Sequence, residues 1–361
     1  MTLNRCNGFG SKIATAGVAA AFALLGTSCS LPVPEVAGAA PADATASSYQ
    51  TVVTPAAAAG YLGTSLPTTA VLFPASFWTT PIGSAPALGA DSAGQIAMLR
   101  HALADVLGYQ PTLQVNIVRY SAPVHVVDRR TSPIVDIPCD SALPMSLDPD
   151  QDRVAEGIPV PDGLWADPSD DSHMIIVDQG NWIAYEFWNW RQEGPRQYRA
   201  GMMGKWSLAG KGWNASGTDL FRVRNGATAS KVPYIGGLVR YEEVAAGEIR
   251  HALHMVVPTT RAGQFQAPAV STDGRYSGSA FIPEGARVQL NPALNLNTLG
   301  LTPPSRVIAR ALQVYGAYVT DTAGGWAIKL QNLGPDGGAW RQLGYQISLQ
   351  SIPLEQFRVL K

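Results

Sequence analysis

Two stretches of this chain concentrate side chains that could move a proton or hold a sugar. The first is Ile183-Ala-Tyr185-Glu186-Phe187-Trp188-Asn189-Trp190. Its alternation reads as a strand, with Glu186, Trp188 and Trp190 on one face and Tyr185 and Phe187 on the other. Flat aromatic faces stack on sugar rings, so a carboxylate beside Trp188 and Trp190 points to a carbohydrate. With Trp182, Trp206 and Trp213 these make five of the nine tryptophans. The competing reading is burial, because large aromatics fill protein interiors.

The second stretch runs from Gly236 to His254 and opens with Arg240-Tyr241-Glu242-Glu243. It is the densest titratable run in a chain with only 15% charged residues. Read as a strand, Glu248, Arg250 and Ala252 share one face, Ile249, His251 and Leu253 the other, and His254 returns to the Glu248 face. A carboxylate beside Arg stays ionised, and a His among apolar neighbours can titrate near neutrality. Such groups suit acid–base chemistry. The competing reading is an Arg–Glu ladder across a sheet with His251 in the core. A third run, Asp167-Pro-Ser-Asp170-Asp171-Ser172-His173, mixes oxygen and imidazole donors, but its spacing fits no calcium loop and reads as a turn before a strand. His173, at the strand entry, is retained as a substrate-binding candidate. No metal or other cofactor is expected.

The elements that must hold these residues are mostly strands. Runs at 114–127, 174–190, 238–241, 249–257, 286–290 and 326–330 are β-branched, aromatic or alternating, with Gly, Pro, Asp or Asn at their ends. Asp178-Gln-Gly180-Asn181 suits a hairpin turn. Two helices are predicted, at 92–107 and 305–318, from their apolar stripes and from Pro303-Pro304 ahead of the second. Many strands with two short helices predict an all-β fold, a jelly-roll-like β-sandwich, in one domain over 71–361. The Pro-rich stretch near 155–165 leaves a two-domain split as the alternative.

The N-terminus reads as an export signal over 1–29. Arg5 and Lys12 precede an apolar run from Ile13 to Leu25 that is too short to span a bilayer. Cys29 follows Leu25-Gly26-Thr27-Ser28, a partial lipoprotein box, so a lipid anchor through Cys29 and free secretion after cleavage near Ala37-Gly38-Ala39 both stay open. Residues 30–70, rich in Ala, Pro, Ser and Thr, read as a tether. Beyond the signal region only Cys139 of the three cysteines remains, so no disulfide framework is possible. A buried structural thiol is the expectation there, against a catalytic one.

Net charge of −1 argues against nucleic acid or an anionic membrane as partner. The 46% hydrophobic content argues against disorder. No G-x-S-x-G, H-E-x-x-H, G-x-x-x-x-G-K-[ST] or G-x-G-x-x-G occurs, which removes the common serine-hydrolase, zinc-protease and nucleotide-enzyme readings.

Gly237-Leu-Val-Arg-Tyr-Glu-Glu-Val-Ala-Ala-Gly-Glu-Ile-Arg-His-Ala-Leu253, together with His173-Met-Ile-Ile-Val-Asp178, Tyr185-Glu186 and Ala311–Asp321 with Trp326, resembles a group of exported bacterial proteins. The resemblance covers roughly 70–355. It implies export and one continuous domain, and it carries no activity or catalytic residue over. The segment after Trp326 is shorter here than in that group.

These readings converge on an exported polysaccharide-active enzyme. The leading expectation is a glycoside hydrolase with Glu186 and Glu248 as its two carboxyls, facing one cleft. Arg240, Arg250 and His173 would orient substrate, and Trp188 and Trp190 would stack on it. The alternative is a polysaccharide lyase in which His251 removes a proton, Tyr241 donates one and Arg240 or Arg250 neutralises a uronate. A non-catalytic cell-surface carbohydrate-binding protein is the third expectation.

Overall fold

The computed structural model describes residues 61–143, 147–213, 225–334 and 337–361. The signal, Cys29, the A-x-A site and most of the tether lie outside them. The first strands are β1 (Tyr61–Gly63), β2 (Gln114–Asn116), β3 (Val124–Val127), β4 (Ile134–Pro138), β5 (Val154–Pro159) and β6 (Met174–Asp178). Then come β7 (Ile183–Trp188), β8 (Arg191–Gly194), β9 (Gln197–Arg199), β10 (Met202–Ser207), β11 (Leu253–Val257) and β12 (Thr260–Phe265). The chain closes with β13 (Ile282–Glu284), β14 (Arg287–Leu290), β15 (Ala317–Thr322), β16 (Ala327–Lys329) and β17 (Phe357–Val359). The helices are α1 (Ser92–His101), α2 (Tyr234–Gly237), α3 (Tyr241–Ala245) and α4 (Pro303–Val314). Strands in several sheets with few short helices make this an all-β protein.

Two sheets carry most of the strands. One has the order β1-β3-β6-β7-β10, the other β17-β14-β15-β11-β16-β2. Neither is purely antiparallel: β3 runs parallel to β6, β11 to β15, and β16 to β2. One apolar cluster draws on both sheets, with Val124, Ile175 and Ala184 from the first, Tyr318 from the second, and Trp78 fully buried beside them. The predicted hairpin forms as read. Asp178 pairs with Ile183, and its Oδ1 accepts the Gly180 backbone N–H at 3.1 Å.

Four expectations change. The predicted 114–127 strand breaks in two, because Tyr120 takes a left-handed φ of 56° and the chain crosses from one sheet to the other. The predicted strands at 238–241 and 249–257 shrink to β11 alone. The Glu243 carboxylate accepts the Arg240 backbone N–H at 3.1 Å, the N3-to-N-cap half of a capping box, and this starts α3 where a strand was expected. Residues 246–252 are therefore irregular, and the alternation of Glu248, Arg250 and His251 does not exist. The second helix starts at Pro303 and ends at Val314, because Gly316 takes a φ of 67° and turns the chain into β15. Finally, β1 lies inside the stretch read as tether, and Leu66 is buried.

Candidate functional site

A cavity of about 380 Å³ collects side chains from both large sheets. Trp188 ends β7, and His173 stands just before β6 with Asp171 in the loop ahead of it. His254 lies on β11, Asp321 on β15 and Lys329 on β16. Strand β11 pairs with β16 through Met255 and Ile328, so one step along that antiparallel ladder sets Lys329 opposite His254. Tyr234, the first residue of α2, closes the group.

Two local features seat Tyr234. A Cβ on Gly237 would fall 2.6 Å from the His254 backbone nitrogen, so only glycine lets α2 press this closely on β11. Glu186 fixes the other end. Its Oε2 accepts the Tyr234 N–H at 2.9 Å and the Trp206 Nε1–H at 3.0 Å, and its Oε1 accepts the Ile235 N–H at 2.8 Å. The Tyr234 ring then sits 4.8 Å from the His173 ring and 4.5 Å from the His254 ring, centroid to centroid.

The polar atoms here are incompletely matched. The Tyr234 hydroxyl and both ring nitrogens of His254 are buried with no hydrogen-bond partner among the described residues. Nδ1 of His173 faces the Phe187 carbonyl oxygen at 3.1 Å, which assigns the proton to Nδ1 and leaves Nε2 as an acceptor. Trp188 Nε1–H donates to Asp171 Oδ1 at 3.2 Å, and Lys329 Nζ donates to the Tyr120 carbonyl at 2.5 Å. Among the described residues, Asp321 Oδ2 accepts only a long contact, 3.5 Å, from the Ala229 N–H.

Burial sets the protonation states. It pushes the Asp321 carboxyl up to about 7, with Asp273 adding to the shift and Lys329 opposing it. It holds His173 and His254 well below the usual imidazole range, so both rings are neutral at pH 7. Burial also lowers Lys329, which Asp321 and Asp171 partly restore, and brings Lys231 on the cavity wall down to about 8. The cavity therefore offers a carboxyl poised near neutrality, a second carboxyl, a lysine whose charge acts on both, and neutral donors and acceptors around them. Among the described residues no group of His, Cys, Asp and Glu is arranged to hold a metal ion.

The sequence candidates divide between this cavity and other places. His173 and Trp188 line it. Glu186 is fully buried and spends its carboxylate on two backbone N–H groups and the Trp206 indole, which places it behind Tyr234 and out of the cavity. Trp190 is core, 4.7 Å from the Phe187 ring and stacked at 4.8 Å on Tyr198. Tyr241 packs edge-on against Trp340. Arg240, Glu248, Arg250 and His251 line a different hollow of about 340 Å³. There Glu243 ties Arg240 and His251 together, through Arg240 Nη2 at 2.5 Å and His251 Nε2 at 3.1 Å. Glu248 is exposed and bonds Arg250 at 2.6 Å. Glu186 and Glu248 thus do not meet in one cleft, because one is interior and the other stands in solvent. Cys139 is buried, and burial pushes its thiol up to about 12, too high for a thiolate nucleophile.

Sequence reasoning passed over Asp321, Lys329, Tyr234 and the roles of Asp171 and His254. One signal was present: Asp321 and Lys329 are the charged residues of two otherwise uncharged strands, Ala317-Tyr-Val-Thr-Asp321-Thr322 and Ala327-Ile-Lys329. A charge inside such a strand needs a reason. No family model, curated protein or solved structure matches the chain. Among the described residues no helix is long and apolar enough to cross a membrane.

Proposed function

We propose that the protein is an exported glycoside hydrolase acting on polysaccharide, with Asp321 and Asp171 as its two carboxyls. The carrying observation is that both line one cavity and that Asp321 is pushed up to about 7 there. Two carboxyls on one cleft, one of them held protonated near neutrality, are what acid-assisted glycosidic cleavage requires. Protonated Asp321 gives its proton to the glycosidic oxygen. Asp171, oriented by Trp188 Nε1–H, serves as nucleophile or as base for water. Lys329 offsets the charge that builds between them. Neutral His254, His173 and Tyr234 suit the hydroxyls of an uncharged sugar, and the half-exposed Trp188 ring gives it a face to stack on. The two large sheets are read as halves of a β-sandwich, supported by the cluster they share; the parallel pairs depart from an all-antiparallel jelly roll. Export, secreted or anchored through Cys29, rests on the N-terminal sequence.

A second reading, elimination from a uronate polymer, is favoured by the bare His254 nitrogens beside the Tyr234 hydroxyl. There His254 would take the proton, Tyr234 would supply one, and Lys329 would neutralise the uronate.

The test is incubation of purified protein with neutral and uronate-containing polysaccharides. New reducing ends without ultraviolet absorbance, lost in Asp321→Asn and Asp171→Asn, are expected. Absorbance from an unsaturated sugar, lost in His254→Ala, would install the elimination reading. Tight glycan binding in calorimetry with no product would mean a non-catalytic carbohydrate-binding protein.

A further inference from the structure

We infer that the aromatic face of Tyr276 is a sugar subsite that extends the cavity, so that the substrate is a chain of several sugars rather than a single terminal residue. This rests on the hydrolase reading of the cavity.

The inference starts from the cavity rim. Ser271, Thr272, Asp273 and Thr322 line its edge. Thr322 Oγ1 donates to Asp273 Oδ1 at 2.5 Å and also meets Thr260 Oγ1 at 2.5 Å. From Asp273 the chain reaches Tyr276 in three residues, at most about 10 Å of extended backbone. Tyr276 is laced to β12: its N–H donates to the Thr260 carbonyl at 3.2 Å, and its own carbonyl accepts the Ala262 N–H at 2.8 Å. The same Thr260 therefore holds both the cavity rim and the Tyr276 backbone.

The ring itself is held and open. It stacks on Phe281 with centroids 5.0 Å apart and planes at 28°. Arg261 fixes that support, with Nε–H donating to the Phe281 carbonyl at 3.1 Å. Even so Tyr276 is 37% exposed. A large aromatic ring held by a stacking partner and still partly exposed loses little freedom on binding, and it carries both an apolar face and a hydroxyl. That chemistry fits a pyranose ring continuing out of the cavity. Arg261 on this side is engaged by the Phe281 and Ser279 carbonyls and by the Gln264 side-chain oxygen.

The test uses the Asp321→Asn protein, so that bound sugar is not turned over, with cello-, xylo-, laminari- and malto-hexaose and the matching disaccharides as probes. Calorimetry is expected to find one hexasaccharide series bound more tightly than its disaccharide. Adding Tyr276→Ala should weaken the hexasaccharide at least ten-fold, and Tyr276→Phe should restore it. With an active Asp321, the hexasaccharide-to-disaccharide ratio of kcat/KM should collapse in Tyr276→Ala. A hexasaccharide that is bound and cleaved with the same preference in Tyr276→Ala overturns the subsite and leaves the hydrolase reading standing. If no sugar in the panel is bound or cleaved, both fall together. An unchanged melting temperature in Tyr276→Ala guards against a folding defect.

Discussion

The neighbourhoods of Glu243 and Asp321 both place a carboxyl among cations and histidines, yet they are finished differently. Around Glu243 the partners come from close by in the chain: Arg240 three residues before it and His251 eight after it. They hold it down at about 2, through His251 first and then Arg240, against the opposing effect of burial. Around Asp321 the neighbours arrive from β11, β16, α2 and the loop before β6, and burial prevails, so the carboxyl rises to about 7. Tyr234 and His254 beside it keep buried polar atoms without a partner. An ion cluster closed on itself at short sequence range holds a helix start in place. One assembled from many elements, with groups left bare, is ready for something else to complete it.

That contrast can be broken by substitution. The largest expected effect is on turnover: Asp321→Asn should cost roughly 10²–10⁴-fold in kcat, as loss of a general acid does, with the fold intact by circular dichroism. Glu243→Gln should do the reverse. Removing one partner of a buried ion cluster costs about 3–5 kcal/mol, so thermal melting should fall by many degrees while kcat of the folded fraction holds. If Glu243→Gln abolishes turnover at full stability, the two clusters have been assigned the wrong way round.

The pH dependence of stability has opposite signs in the two places. Glu243 is lowered on folding, so its contribution is present above about 4.5 and drains away as pH falls towards about 2. Asp321 is raised on folding, so its contribution is full below about 3.8 and is lost as pH rises to about 7. The melting temperature of Asp321→Asn relative to wild type should therefore climb between pH 4 and pH 8. A flat difference would contradict the raised carboxyl. In wild type, kcat should also fall as pH rises through about 7, where the proposed acid loses its proton.

A finer cut comes from Tyr234→Phe. It deletes a buried hydroxyl that has no partner, so melting should hold or rise, while kcat/KM falls about ten-fold. A large loss of stability would reveal a structural bond at that oxygen. The smallest effect belongs to Glu248→Ala, whose carboxylate is paired to Arg250 in open solvent. Neither melting nor turnover should change measurably.

Much of the architecture was legible in the sequence, and the site mostly was not. The β6–β7 hairpin announced itself through Asp178-Gln-Gly180-Asn181, a local signal that no distant contact had to support. The stripe of α4 did the same, and its start moved only because Pro303 and Pro304 fit the first helical turn. The run from Arg240 to His251 misled for a physical reason. Its polar alternation imitates a strand, while Glu243, three residues on, reaches back to the Arg240 backbone N–H and guanidinium, and that local closure prevails. Glu186 and Trp190 misled because their side chains suit either a ligand or an interior. The cavity itself was hidden, because Tyr234, His254, Asp321 and Lys329 stand far apart in sequence and meet only through strand pairing.

The Glu186 carboxylate joins backbone 48 residues away, from a strand of one sheet to the helix that leads into the other. Burial pushes it up to about 7, so it resists standing ionised in the interior unless those N–H groups arrive. A folding intermediate with one sheet formed and the other loose would keep this carboxylate in water and leave Tyr234 unplaced. Formation of the cavity is thus tied to docking of this helix on the first sheet, and recovery of the proposed turnover during refolding should lag behind recovery of secondary structure and coincide with burial of Trp206, read by its fluorescence.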